Sequence, residues 1–307
     1  MSAFETIADG VHLVRVPMPG GGLPHSLAYL IEDDRGHLHV IDPGSATDEA
    51  GAVLRDAVDA LGRGPSDIAQ IVVTHLHGDH AGGAAALRAS TGAPVLMHEA
   101  EAAAASAIAE GLPSPALEAW GVPEDRRAEL RAAAGVSTAP SLPAPDGLLS
   151  DGDLLDVPGR SIRVVWTPGH TPGHLCLHDE DAGLLFTGDH VLPTINSGLG
   201  LGGPTASNPI ADYLAGLRRV AAISGRALPG HEHPFTGLAE RCDALAEHHL
   251  RRAREVAAHP DGTVWDVART LTWTGGWDGL RGFTLLSALS QTALHRDFVA
   301  RGGLDAT

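Results

Sequence analysis

Three histidines and an aspartate fall within six positions of the segment THLHGDHAGG (74–83): His75, His77, Asp79 and His80. Imidazole and carboxylate groups at that density suit a divalent cation, since zinc, iron, cobalt and manganese all accept nitrogen and oxygen donors. Three further apolar runs end in the same way, VVWTPGH at His170, LLFTGDH at Asp189 and ALPGH at His231. Seven candidate ligands result. One ion with an open position takes about three protein ligands, so the set divides as three, three and a bridge. A carboxylate is the natural bridge, because its two oxygens can face two cations. Asp42 ends the run VIDPG much as His75 ends IVVTH.

The elements that must position these groups follow from patterning. GVHLVRVPM, SLAYLIEDD, HLHVIDPG and IAQIVVTH read as strands, with ATDEAGAVLRDAVDALG a helix before the last. Strands mixed with helices indicate a layered α/β fold, whose strand-end loops gather on one rim. Residues 99–140 read as a mostly helical insertion, interrupted by Pro113, Pro115, Trp120 and Pro123, of a kind that covers a site. Strands return in SIRVVWTPGH and in HLCLHDEDAGLLFTGDH, the latter a hairpin turning at 181–183. A Gly-rich stretch, NSGLGLGGPTASNP, then leads to the helix IADYLAGLRRVAAI, N-capped by Ser207 or Asn208. After the short strand RALPGH the pattern turns helical. The chain therefore divides into a metal-binding domain, 1–235, and a small helical domain, 236–307, for which a winged-helix-like form is expected.

Composition removes several function classes. The 307 residues carry a net charge of −17, and all 21 basic residues are arginines. Without lysine there is no Schiff-base chemistry and no phosphate-loop lysine. The acidic balance disfavours nucleic acid, whose binding leans on clustered positive charge. Only Cys176 and Cys242 are present, which suits a reducing compartment. The start MSAFETIADG lacks a basic, apolar leader, and no 18-residue apolar stretch occurs. A cytoplasmic protein with a small-molecule substrate and no membrane partner is the expectation.

The HxHxDH motif, followed by a distant histidine, aspartate and histidine, resembles that of the metallo-β-lactamase-fold hydrolases over residues 5–235. The resemblance implies a four-layer αββα sandwich with the site along one edge of two sheets. It implies one metal on His75, His77 and His170, another on Asp79, His80 and His231, Asp189 bridging them, and Asp42 orienting ligands from outside. One class of antibiotic-hydrolysing members has cysteine where this chain has Asp189. The hydroxyacylglutathione hydrolases, the lactonases and the fold's nucleases are therefore more similar.

The implied activity is dinuclear metal-dependent hydrolysis of a small ester, thioester or lactone. Two divalent ions, zinc foremost and iron or manganese compatible, would hold a hydroxide between them. Asp79 would orient that hydroxide and take a proton in turnover. A nuclease of the same fold, with the C-terminal helices gripping RNA, is weighed down by the missing lysine and basic stripe. A mononuclear-iron persulfide dioxygenase needs two histidines and an aspartate, and leaves the second ligand set unused.

The remaining polar residues carry plainer expectations. His98 and His190 are expected to make structural or outer hydrogen bonds, His174 and His178 alternate in a strand, and His233 is an outer candidate at most. His248 and His249, beside Arg251, Arg252 and Arg254, fit a solvated or interdomain helix face. Trp120 and Tyr213 fit core packing better than a site.

Overall fold

Two sheets carry the fold, because several strands present apolar groups on both faces and must be covered on both. The computed structural model describes residues 3–18, 22–110, 115–135 and 144–305; Pro113 and residues 136–140 of the expected insertion lie outside them. The first sheet runs in the order β1 (Glu5–Ala8), β2 (Val11–Pro17), β3 (His25–Glu32), β4 (Leu38–Ile41), β5 (Ile68–Val72), β6 (Val95–His98) and β7 (Gly147–Leu149). Its first four strands are antiparallel neighbours, and β4 to β7 are parallel. The second sheet has β8 (Ile162–Trp166), β9 (Leu175–Asp179), β10 (Leu184–Gly188) and β11 (Arg226–Pro229), in reverse spatial order. The pair β10–β11 is parallel and the rest antiparallel.

Period-two alternation sorts side chains into layers. In β9, Leu175 and Leu177 face the first sheet while Cys176 faces away, and in β8 Val164 and Val165 divide likewise. The space between the sheets is filled by Leu13, Tyr29, Ile41 and Val72 against Leu177, Phe186 and Leu228. The helices α1 (Asp48–Ala60), α2 (Gly78–Ala81) and α3 (Ala84–Thr91) follow the first strands. Leu54 and Val58 of α1 cover Leu30, Val40 and Ile71 on the outer face of the first sheet. The insertion contributes α4 (Glu99–Glu110) and α5 (Glu124–Gly135), and α6 (Pro209–Ala221) lies on the second sheet through Ile210, Tyr213 and Leu217. The order of layers is helix, sheet, sheet, helix, the αββα sandwich expected.

The helices α7 (Leu238–Ala257), α8 (Val264–Ala268) and α9 (Gly282–Ala300) complete the chain. Leu238, Cys242 and Leu245 of α7 share the apolar cluster of α6 and the second sheet. Asn208 caps α6 by accepting from Ile210 N, and its amide donates to Leu294 O and Asp297 of α9. Leu117 and Leu130 of the insertion pack with Trp265, Leu285 and Leu289. The winged-helix expectation is corrected, since no strand forms among the described residues beyond 236. The reason lies in TWTGGWDG, where a wing would form: Trp273 and Trp277 turn inward, and Trp277 meets Trp265 edge to face at 5.1 Å. Among the described residues no helix is long and apolar enough to cross a membrane.

Leu130 and Leu289 are fully buried in the cluster that joins insertion to C-terminal helices. Truncating either to alanine is expected to cost about 2–5 kcal/mol, read from the urea midpoint. The double variant should cost less than the sum, because both side chains fill one shared space; strict additivity would mean two independent cores.

Candidate metal centre

Parallel neighbours bring the candidate ligands together at one end of the sheets. β4 and β5 run side by side, so Asp42, one residue past β4, meets the loop after β5; Asp42 N donates to Val72 O at 3.0 Å. α2 begins within that loop and turns Asp79 and His80 back toward the sheets. β10 and β11 likewise end together, setting Asp189 beside His231, with Gly230 N donating to Gly188 O at 2.8 Å. Two backbone bonds join the sheets here, Leu27 N to Gly230 O at 2.8 Å and Leu175 N to Thr74 O at 3.0 Å. Gly230 has no room for a side chain, since a Cβ would lie 2.6 Å from Asp189 Oδ1.

All seven candidate ligands converge. His77 Nδ1 lies 3.0 Å from His75 Nε2 and 3.1 Å from His170 Nε2. On the other side His80 Nε2 and His231 Nε2 are 3.1 Å apart, and Asp79 Oδ2 is 3.2 Å from His231 Nε2. Asp189 faces both groups: its Oδ2 is 3.7 Å from His170 Nε2 and 3.5 Å from His231 Nε2, and its Oδ1 is 3.4 Å from His80 Nε2. The first set with Asp189, and the second set alone, each keep one ligand atom per residue within 4.8 Å of the others.

The far nitrogens of the rings fix the tautomers. Thr74 Oγ1 donates to Asp42 Oδ2 at 2.7 Å, so His75 Nδ1 donates to Thr74 Oγ1 at 3.0 Å and keeps a lone pair on Nε2. His80 Nδ1 donates to Asp42 Oδ2 at 2.9 Å, His170 Nδ1 to Gly198 O at 2.6 Å and His231 Nδ1 to His25 O at 3.3 Å. His75 Nε2 and His170 Nε2 thus both turn a lone pair toward His77 Nδ1, an arrangement that a shared cation satisfies and a single proton does not. The buried Asp189 Oδ1 has no hydrogen-bond partner, as expected of an oxygen meant for a cation. The donor set fits two divalent ions. Asp42, which also accepts Thr74 N at 2.8 Å, holds φ at +54°, a left-handed conformation costing about 1–3 kcal/mol, which its three bonds offset.

The two halves differ electrostatically. Burial, together with His170, lowers His77 to about 3, and burial lowers His75 and His170 as well, so this trio is neutral. Burial also opposes charge on His80 and His231, but Asp189 and Asp79 outweigh it and raise them to about 9 and about 10. Burial raises Asp79 and Asp189, yet those imidazolium neighbours hold both carboxylates below their ordinary range. Asp79 is the most open of the carboxylates, its side chain 23% exposed, whereas His75 and His80 are sealed.

Residues outside the set fall mostly as expected. His98 stacks flat on Trp166 at 5.0 Å and accepts Ala100 N, and His233 is exposed; neither joins the cluster. Tyr213 is core and donates to His190 O at 2.7 Å; Trp120 packs with the C-terminal helices. His249 is buried and stacks on His295, while Arg254 pairs with Glu247. Two supporting residues carry a weaker sequence signal. His174, one of two histidines alternating in an apolar run, accepts Asp189 N at 3.0 Å and so holds the bridging residue's backbone. Glu101, the second of two carboxylates in the first turn of the alanine-rich α4, is fully buried against two ligand loops, where burial raises it to about 7.

Residues 21–222 match the family model described as the metallo-beta-lactamase superfamily. The chain belongs to the metallo-β-lactamase superfamily. Within it, the chain is 33% identical to a hydroxyacylglutathione hydrolase of Cereibacter sphaeroides over 59% of its own length and 52% of the relative's, so it spans about half of that protein. It is 29% identical to the probable metallo-hydrolase YqjP of Bacillus subtilis over 94% and 92%. It is 30% identical to the acyl-coenzyme A thioesterase MBLAC2 of Gallus gallus over 67% and 74%. Among solved structures, a β-lactamase domain protein from Burkholderia ambifaria superposes with TM-score 0.82 at 26% identity, covering 98% of this chain and 89% of the other. A metallo-β-lactamase family protein from Thermus thermophilus superposes with TM-score 0.77 at 28% identity over 97% and 95%.

Cations and protons compete for the Nε2 atoms of His80 and His231, both protonated near neutral pH. Metal uptake by the apo-protein at pH 7 should therefore release protons, and affinity should rise with pH until it levels off above about 10. Calorimetric titration in two buffers of different ionisation enthalpy measures this, and identical heats in both would contradict the assignment.

Proposed function

We propose that this superfamily member is a dinuclear metal-dependent hydrolase of a small thioester, with esters and lactones as related substrates. The observation that carries the reading is the Asp189 carboxylate, set between a neutral three-histidine group and an Asp79–His80–His231 group. Hydroxyacylglutathione and acyl-coenzyme A, named by relatives, are both thioesters, which supports that bond as the target.

The ligand assignment is His75, His77 and His170 for one ion, Asp79, His80 and His231 for the other, and Asp189 for both. We assign zinc to both positions, and iron or manganese suits the same donors. Two divalent ions bound there would supply an acidified water and a polarised substrate carbonyl. The chain's own groups do the rest. Asp79, the most open of the carboxylates, orients the attacking water through Oδ2 and receives its proton. Asp42 holds His80 and, through Thr74, His75 against rotation, so the donors stay aimed as charge moves. Residues 1–235 form the metal-binding part, and the helices of 236–307 wall it and support the insertion. Two buried free thiols fit action in the reducing cytoplasm.

The acidic chain, with no lysine, favours a small molecule over RNA. Metal-loaded protein assayed on thioesters, lactones, phosphodiesters and RNA, with His77→Ala as the blank, should turn over thioesters fastest. Asp79→Asn should lower kcat by about 10²–10⁴-fold. Full turnover by that variant at full metal content removes Asp79 from the proton step, and selective cleavage of RNA replaces the thioesterase reading by a nuclease one.

A further inference from the structure

The insertion reaches into the centre through one side chain. Glu101, in the first turn of α4, is 0% exposed, and its carboxylate lies between two ligand loops. Oε1 accepts Leu76 N at 2.6 Å, between His75 and His77; Oε2 accepts Gly173 N at 2.6 Å, three residues past His170. Charge-assisted bonds of that length are about twice as strong as neutral ones, and Thr171 of the second loop also turns its hydroxyl toward the carboxylate. The contact leaves no slack. A Cβ on Gly173 would lie 2.2 Å from Glu101 N, so the loop presses directly on the helix start. The two loops belong to different sheets, one after β5 and the other between β8 and β9.

We propose that Glu101 is a positioning residue that sets the spacing between His75/His77 and His170, and hence the affinity of that metal position alone. The proposal rests on the ligand assignment above. The second position takes Asp79, His80 and His231, whose supports are Asp42, His25 O and the Gly188–Gly230 backbone pair, none of them touched by Glu101. Replacing the carboxylate by an amide leaves one acceptor for two N–H groups and turns an NH₂ donor toward the second, which drives the loops apart.

Visible absorption during Co²⁺ titration of the full-length apo-protein tests this, with total metal counted by elemental analysis. Wild type should take two ions, His170→Ala should weaken the first position and His231→Ala the second. Glu101→Gln should weaken the first position by about 10–100-fold, the range for outer partners of metal ligands, and leave the midpoint and spectrum of the second unchanged. Glu101→Asp keeps the charge but is too short for both amides, and should fall between; it decides the matter if the amide variant does not fold. Two wild-type binding steps in Glu101→Asp or Glu101→Gln would overturn the clamp while leaving the ligand assignment intact. Equal weakening of both positions, with a lowered unfolding midpoint of the apo-protein, would reduce Glu101 to a fold residue and also overturn it. A wild-type protein that takes no ion, or a His170→Ala variant that takes two normally, would remove the ligand assignment and the clamp together.

Discussion

Burying five imidazoles and two carboxylates in one pocket is unfavourable unless each polar atom has a partner, and that constraint organises this molecule. The far nitrogens of four rings are bonded to Thr74, Asp42, Gly198 O and His25 O, groups drawn from the first sheet, its strand ends and the Gly-rich loop. The near nitrogens have only one another and the aspartates. The strain at Asp42, the absent side chain at Gly230 and the backbone bonds between the sheets all serve to bring those near nitrogens to 3.0–3.1 Å from one another.

That requirement extends outward. The insertion is anchored at its start by Glu101 between two ligand loops, and farther along by Leu117 and Leu130 against α8 and α9. The C-terminal helices, in turn, share the apolar cluster that carries β8, β9 and α6, and His170 follows β8. Removal of the helices would therefore unsettle one ligand loop directly and another through the insertion. In this respect the helical end of the chain acts as outer support for the centre.

Most of the candidate centre was legible in the sequence because four of the seven candidate ligands close apolar strands, and parallel strands must end on a common rim. His75, His170, Asp189 and His231 are readable by that rule, and His77, Asp79 and His80 by proximity to His75. The αββα layering was legible through the family motif rather than through strand patterns, since a buried run such as VVWT says nothing of which sheet it joins. The winged form does not appear because TWTGGWDG has the composition of a hairpin turn, yet Trp277 packs against Trp265 and Trp273 lies under Arg252, which gains more than a turn in solvent. Glu101 and His174 stayed hidden for a different reason. Their partners are backbone amides distant in sequence, or Asp189 N fifteen residues away, and backbone amides leave no mark in a sequence.

Charge explains how such a pocket can exist before metal arrives. The imidazolium forms of His80 and His231 face the carboxylates of Asp79 and Asp189, so buried charges of opposite sign are paired in the second half of the pocket. The first half, His75, His77 and His170, is uncharged by burial. Protons thus occupy the place of a cation only where carboxylates can hold them. In the proposed reaction, exchange of those protons for divalent ions would add positive charge at the point where negative charge develops during attack on a carbonyl. The chain, with a net charge of −17, contains no lysine to reproduce that charge elsewhere. A protein with this composition can stabilise an oxyanion best at its metal-binding edge, which is where Asp79 opens to solvent.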